Sequence, residues 1–188
     1  MKAEERILKH SEELFLNYGY STITMSRIAS ELGIGKATIY KYFPTKEAIL
    51  EKVIESLFDD TNQTIDEITL NPEYSFKEKF RNYLFLFAEK YFLLQNKQTQ
   101  DIKKNAPDIW KKIENLEREI FYKKFQILIC DGIVDNHIKS DFEVELLVNM
   151  ILNSLQKILN GEIKNRLSLS YKELVDNIIK IYFEGILN

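Results

Sequence analysis

Lysine, threonine and tyrosine cluster along one short stretch of this chain in a pattern suited to a polyanion. Residues 24–43 read TMSRIASELGIGKATIYKYF. At helical spacing Lys36, Thr38, Lys41 and Tyr42 share an outer face, with Tyr40 at its flank, while Ile39 and Phe43 point the other way. Ammonium and hydroxyl groups on one such face neutralise phosphates and reach base edges in a major groove. Other chemistries find little material. The single cysteine, Cys130, allows no internal disulfide and no paired-cysteine site. His10 and His137 lie far apart, and Asp131 and Asp135 beside His137 are too few ligands for a metal. No nucleophile–base set and no phosphate loop is present, so the expectation is a protein that is not an enzyme, with no metal and no cofactor.

Two short helices must hold that face. Thr24 caps the first, in which Met25, Ile28, Ala29 and Leu32 recur at i, i+3, i+4 and i+7. Gly33 makes the turn, and the second helix runs from about Lys36 to Tyr42 until Pro44 breaks it. Ala29 is small enough to let the two helices approach. This is a helix-turn-helix. It follows a first helix over about 3–18, with Ile7, Ser11, Leu14, Phe15 and Tyr18 inward and Gly19 at its end. Thr45 opens a long fourth helix that reaches about residue 69.

These residues resemble the TetR (AcrR-type) family of bacterial transcriptional regulators. The resemblance lies in residues 5–57: Phe15 and Gly19, then T-M-x-x-I-A, L-G-I-x-K-A-T-I-Y-x-Y-F and T-K-E-A-I-L. It implies DNA contacts from Thr24, Ser26, Gly35, Lys36, Ala37, Thr38, Tyr40, Lys41, Tyr42 and Lys46. Thr24 and Lys46 would hold phosphates, Tyr40 and Tyr42 would give hydroxyls to phosphates, and Gly35 to Thr38 would start the recognition helix. It also implies a divergent C-terminal portion that binds an effector and dimerises.

The rest of the chain fits an all-α protein. Six glycines and three prolines in 188 residues are too few for a sandwich or barrel. Helices are expected over about 76–94, 107–130, 141–162 and 170–186, with a loop at 131–140 and a short helix allowed within 96–106. Tyr83, Phe87, Tyr91, Trp110, Phe121 and Phe125 fall on apolar faces and, with Asn153, are the expected effector pocket. The last two helices are apolar on more than one side and need two partners. One is the chain's own core. The other is a second copy, with Ile151, Leu155, Ile178 and Tyr182 at the interface.

The charge is −3 overall, yet residues 24–46 carry Arg27, Lys36, Lys41 and Lys46 against Glu31 alone. The charged N-terminus is no signal peptide, and no run reaches the roughly 20 apolar residues of a membrane span. The expectation is a cytoplasmic regulator with residues 1–46 on DNA and 47–188 for effector and dimer. Its partners would be a palindromic double-stranded operator, an apolar or amphipathic small molecule and a second copy of itself, with no membrane. The rival reading is a helical ligand-binding or interaction protein whose helix-turn-helix is inactive.

Overall fold

The computed structural model describes residues 2–160 and 169–186, and among them every helix, α, 3-10 or π, can be traced to a sequence signal or to packing. α1 (Ala3–Tyr18) buries Ile7, Ser11, Leu14 and Phe15 and ends where Gly19 turns to φ +85°. One 3-10 turn, Tyr20–Thr22, leads into α2 (Met25–Leu32) and α3 (Lys36–Tyr42). Thr45 Oγ accepts the Ala48 N–H at 3.1 Å and starts α4 (Lys46–Thr69). Reciprocal Ser75–Glu78 bonds box the start of α5 (Phe76–Leu94), and Ser170–Glu173 bonds do the same for α10 (Tyr171–Ile186). Asn96 caps α6 (Lys97–Asn105), and Pro107 opens α7 (Pro107–Glu117).

The helix expected over 107–130 is interrupted and then prolonged. Arg118–Tyr122 form a π turn, and α8 (Lys123–Val134) follows it without a break in helical backbone. A π turn inserts one residue and disturbs the carbonyl ladder. The Tyr83 hydroxyl, fully buried, donates to Phe121 O at 2.6 Å inside that turn. The loop expected at 131–140 therefore begins only after Val134. The Asp131-Gly132 pair is helical, and position 132 requires glycine because a Cβ there would lie 2.5 Å from Phe76 Cε2. Here glycine serves close packing, not a turn. α9 (Val144–Leu159) follows. Residues 161–162, expected in this helix, and Leu187 lie outside the described residues.

The chain packs as two compact units, residues 1–60 with 94–116 and residues 61–93 with 117–188. These units are cut differently from the division at residue 46 expected on functional grounds. α6 and α7 belong to the first unit, where α6 packs on α1 and on the 3-10 turn.

The core of the second unit joins Phe80, Tyr83, Phe87, Phe121 and Phe125 to aliphatic residues of α9 and α10. Ile151 and Leu155 are 0% exposed and Ile178 is 5% exposed, all within this core. They are thus not available to a partner chain, contrary to their expected place at a dimer interface. Hydrophobicity marks both sides of such a helix without saying which side the chain itself fills. The apolar residues left in solvent are Leu146 and Met150 on α9 and Ile181 on α10. Tyr182 is half-buried, its hydroxyl 2.8 Å from Ser154 Oγ.

Candidate nucleic-acid interface

The helix-turn-helix is built by three local decisions. Thr24 Oγ1 accepts the Arg27 N–H at 3.2 Å and fixes the start of α2. Gly33 takes the left-handed conformation, φ 66° and ψ 31°, and the Ile34 N–H reaches back to Ala29 O at 3.0 Å. Ile28, Ala29, Ile39 and Phe43, each 3% exposed or less, then lock α2 and α3 into the first unit. With these side chains inward, helical periodicity forces the polar ones out.

Thr24, Ser26, Gly35, Lys36, Ala37, Tyr40, Lys41 and Tyr42 are all exposed, and Thr38 is half-buried. Tyr40 and Tyr42 stand 52% and 39% in solvent, too open for packing residues. Lys36 and Lys41 have no ion pair among the described residues. The face is a set of unengaged donors on a rigid scaffold.

The other two cations of the basic stretch are engaged. Arg27 Nε donates to Glu31 at 2.8 Å, and its guanidinium lies 4.4 Å from the Tyr18 ring centroid. Glu31 also sits 3.0 Å from His10 Nε2, tying α2 to α1. The bond from Arg27 comes first among the causes that hold the Glu31 carboxyl below its ordinary range. Lys46 turns inward: its Nζ donates to Tyr20 O and Ile23 O, both at 2.9 Å, and lies 4.0 Å from the Tyr20 ring centroid. Burial pushes the Lys46 pKa down. Two of its three N–H groups hold the lead-in to α2, and one is left for a phosphate.

Sequence reasoning missed what positions this lead-in. The Tyr20 hydroxyl donates to Glu47 Oε1 at 2.6 Å, and Asp101 accepts from both the backbone and the hydroxyl of Ser21. The Arg27–Glu31 pair was legible as i,i+4 spacing. Asp101 was not, because nothing local connects it with Ser21 across 80 residues.

The residues expected to hold an effector are divided. Tyr83, Phe87, Tyr91, Phe121, Phe125 and Asn153 lie in the second unit, and Trp110 lies in the first. Trp110 donates its indole N–H to Glu114 at 2.7 Å. Phe87 and Phe121 meet edge to face, with ring centroids 5.1 Å apart. Beside them runs the polar strip of α9. Tyr122 donates to Asn153 at 2.7 Å, Tyr91 to Asn160 at 2.8 Å, and Gln156 to Glu117 at 2.9 Å. Burial, then the Glu117 charge, pushes the Tyr122 pKa up to about 12. A separate cleft of about 380 Å³ in this unit is lined by Tyr74, Phe76, Lys79 and His137, none of them in the expected set.

Known proteins share this arrangement. Residues 7–53 match the family described as bacterial regulatory proteins, tetR family. The HTH-type transcriptional regulator YvaF of Bacillus subtilis is 24% identical over 97% of this chain and 95% of its own length. The negative transcriptional regulator IcaR of the biofilm operon icaADBC, from Staphylococcus aureus, is 23% identical over 62% of this chain and 64% of its own. The solved structure of the regulator FadR from Bacillus subtilis in complex with stearoyl-CoA superposes with a TM-score of 0.69. It is 20% identical and covers 97% of this chain and 98% of that one. Among the described residues no helix is long and apolar enough to cross a membrane. An exposed recognition helix on a matched domain makes the identification: residues 7–53 are a DNA-binding domain of the kind found in bacterial regulatory proteins of the tetR family, and the chain is similar to HTH-type transcriptional regulators over nearly its whole length.

Proposed function

We propose that the chain is a cytoplasmic, non-enzymatic repressor that binds a palindromic operator as a homodimer and is released by a small molecule. Residues 1–46 would meet DNA and residues 47–188 would hold effector and partner. The observation that carries this reading is the outer face of α3, where Lys36, Tyr40, Lys41 and Tyr42 stand exposed beside a buried Ile39 and Phe43. In this reading Lys36, Lys41 and the last N–H of Lys46 hold phosphates. Tyr40 and Tyr42 donate hydroxyls, and Gly35 to Thr38 lie nearest the bases. Thr24 and Ser26 meet the backbone from the start of α2.

Leu146, Met150 and Ile181 supply the apolar dimer surface, since they are 55% exposed or more. The effector site is placed at the aromatic cluster of the second unit, beside the Tyr91, Tyr122 and Glu117 polar groups. That mixture supports an apolar or amphipathic ligand, and a FadR regulator of similar fold is solved with stearoyl-CoA. A negative regulator among the relatives supports repression.

Selection of a duplex from a randomised pool tests the proposal. The selected site should be palindromic, with half-sites about 10–10.5 base pairs apart or a multiple of that. Its affinity should fall linearly with the logarithm of salt concentration. A protein that selects nothing, or binds a single half-site as a monomer, would refute it.

A further inference from the structure

The 3-10 turn Tyr20–Thr22 stands between α1 and Thr24, the cap of α2, and it is gripped from two sides. From α4, Lys46 holds the carbonyls of Tyr20 and Ile23 while Glu47 takes the Tyr20 hydroxyl. From α6, Asp101 Oδ2 accepts the Ser21 N–H at 2.6 Å and Oδ1 accepts the Ser21 hydroxyl at 2.9 Å. Asn105 donates to Asp101 Oδ1 at 2.7 Å and so holds the carboxylate in place. Gly19 gives the carboxylate room: a Cβ there would lie 3.3 Å from Asp101 Oδ2 on a backbone already at φ +85°.

We propose that Asp101 is a positioning residue for operator binding, fixing through Ser21 the turn from which α2 and the recognition helix are launched. The inference rests on the DNA-binding reading above. Three features favour a positioning clasp over an incidental hydrogen bond at the surface. Both carboxylate oxygens are used on one residue, which fixes direction as well as distance. The donors belong to the segment that leads into α2, not to the helix that carries Asp101. The packing of α6 does not by itself satisfy its polar groups, for Thr99 on α6 and Ser11 on the facing α1 are buried hydroxyls without a hydrogen-bond partner among the described residues. Burial alone would raise the Asp101 pKa, but Ser21, Asn105 and the Lys46 charge outweigh it and hold the carboxyl below its ordinary range. The clasp is therefore ionic at neutral pH. Any displacement of α6 stretches two bonds to the lead-in of α2.

The test uses the full chain and the variants Asp101→Ala, Asp101→Asn and Ser21→Ala. Three readouts are followed: amide hydrogen exchange in the free protein, affinity for the duplex that the wild type selects from a randomised pool, and affinity for a scrambled duplex of the same length. Asp101→Ala should speed exchange at Ser21 and at the start of α2. It should weaken the selected duplex about tenfold, as expected for losing hydrogen bonds to a charged group. The scrambled duplex and its salt slope should not change. Asp101→Asn keeps an acceptor for the Ser21 N–H and should recover most of the loss. Ser21→Ala should cost about threefold alone and nothing further in the Asp101→Ala background.

A role confined to stability would lower the active fraction and weaken both duplexes alike, and that result overturns the proposal. So does an Asp101→Ala variant within twofold of wild type on the selected duplex. If Asp101→Ala does not fold, Ser21→Ala decides, and unchanged affinity there overturns it. If the wild type binds no duplex in a salt-dependent way, the regulator reading falls. Exchange at Ser21 then judges the clasp alone, and an unchanged rate in Asp101→Ala overturns it.

Discussion

Lys41 and Lys46 are both basic residues of the DNA-binding domain, and the structure makes them fail differently when removed. Lys41 is exposed with no ion pair among the described residues, whereas Lys46 has two N–H groups on the backbone of the 3-10 turn. A lysine that neutralises one phosphate contributes about 0.9 to the slope of log K against log salt, so two copies on a palindrome contribute about 1.8. Between about 50 and about 200 mM salt, a fourfold change, this lysine pair alone accounts for about 12-fold in affinity. Lys41→Ala should flatten the slope by about 1.8 and leave thermal stability as it was. Lys46→Met keeps a stem of similar length and loses both carbonyl contacts. At about 0.5–1.5 kcal/mol per bond, with water able to replace part of them at this half-exposed site, the cost is about 1–2 kcal/mol. For a chain of this size that is a fall in Tm of about 2–8 °C. Fluorescence anisotropy of a labelled duplex at several salt concentrations gives the slope, and circular dichroism gives the Tm. A Lys41→Ala variant that loses stability but keeps the wild-type slope would refute the assignment of these two lysines. So would a Lys46→Met variant with wild-type Tm.

Met150→Lys or Ile181→Lys should leave the fold intact and shift sedimentation from dimer to monomer, while Ile151→Asp should unfold the second unit because it buries an unpaired charge. Thr99→Val removes a buried hydroxyl that has no partner and keeps its shape, so it should raise stability by about 1 kcal/mol in chemical denaturation. Acid should weaken the first unit through Glu47, whose pKa is held low first by the Tyr20 hydroxyl and then by backbone N–H bonding. A lowered native pKa gives stability that is present above the unfolded value near 4.5 and lost as pH falls through the native one, so Glu47→Gln should flatten stability against pH below 4.5.

The parts of the fold that could be read in advance are those decided within a few residues of chain. Thr24, Gly33, Thr45 and Pro107 each start or stop a helix by satisfying, or failing to satisfy, a backbone group close by. The helix-turn-helix and its exposed face follow from that logic, which is why its residues were nameable from spacing. What escaped was decided at a distance. Gly132 has the composition of a turn and the role of a packing gap for Phe76. Ile151 and Leu155 look the same in sequence whether the chain's own core or a partner covers them, and only the packed structure assigns them to the core. The π turn at Arg118–Tyr122 leaves no mark on apolar periodicity, and its capture by the Tyr83 hydroxyl joins two helices far apart in sequence.

The engaged state of Arg27 and Lys46 bears on how selective the regulator is. A simple tally gives four cations in residues 24–46, but only Lys36 and Lys41 stand without an ion pair or a backbone partner among the described residues. On a palindrome these two lysines and the remaining N–H of Lys46 make six phosphate contacts, and at about 0.9 per phosphate the expected salt slope from them is about 5.4. Hydroxyls of Tyr40 and Tyr42 and the backbone N–H groups at the starts of α2 and α3 add contacts that displace few counterions. The remainder of the chain is acidic, since the whole carries −3 despite this basic stretch. Random-sequence binding depends almost wholly on charge neutralisation, and it is therefore weak here. Base contacts must supply a correspondingly large share of operator affinity. A measured slope near 7 for the dimer would mean that Arg27 also leaves Glu31 on DNA, and the division between clamping and contacting cations drawn from the free structure would then be wrong.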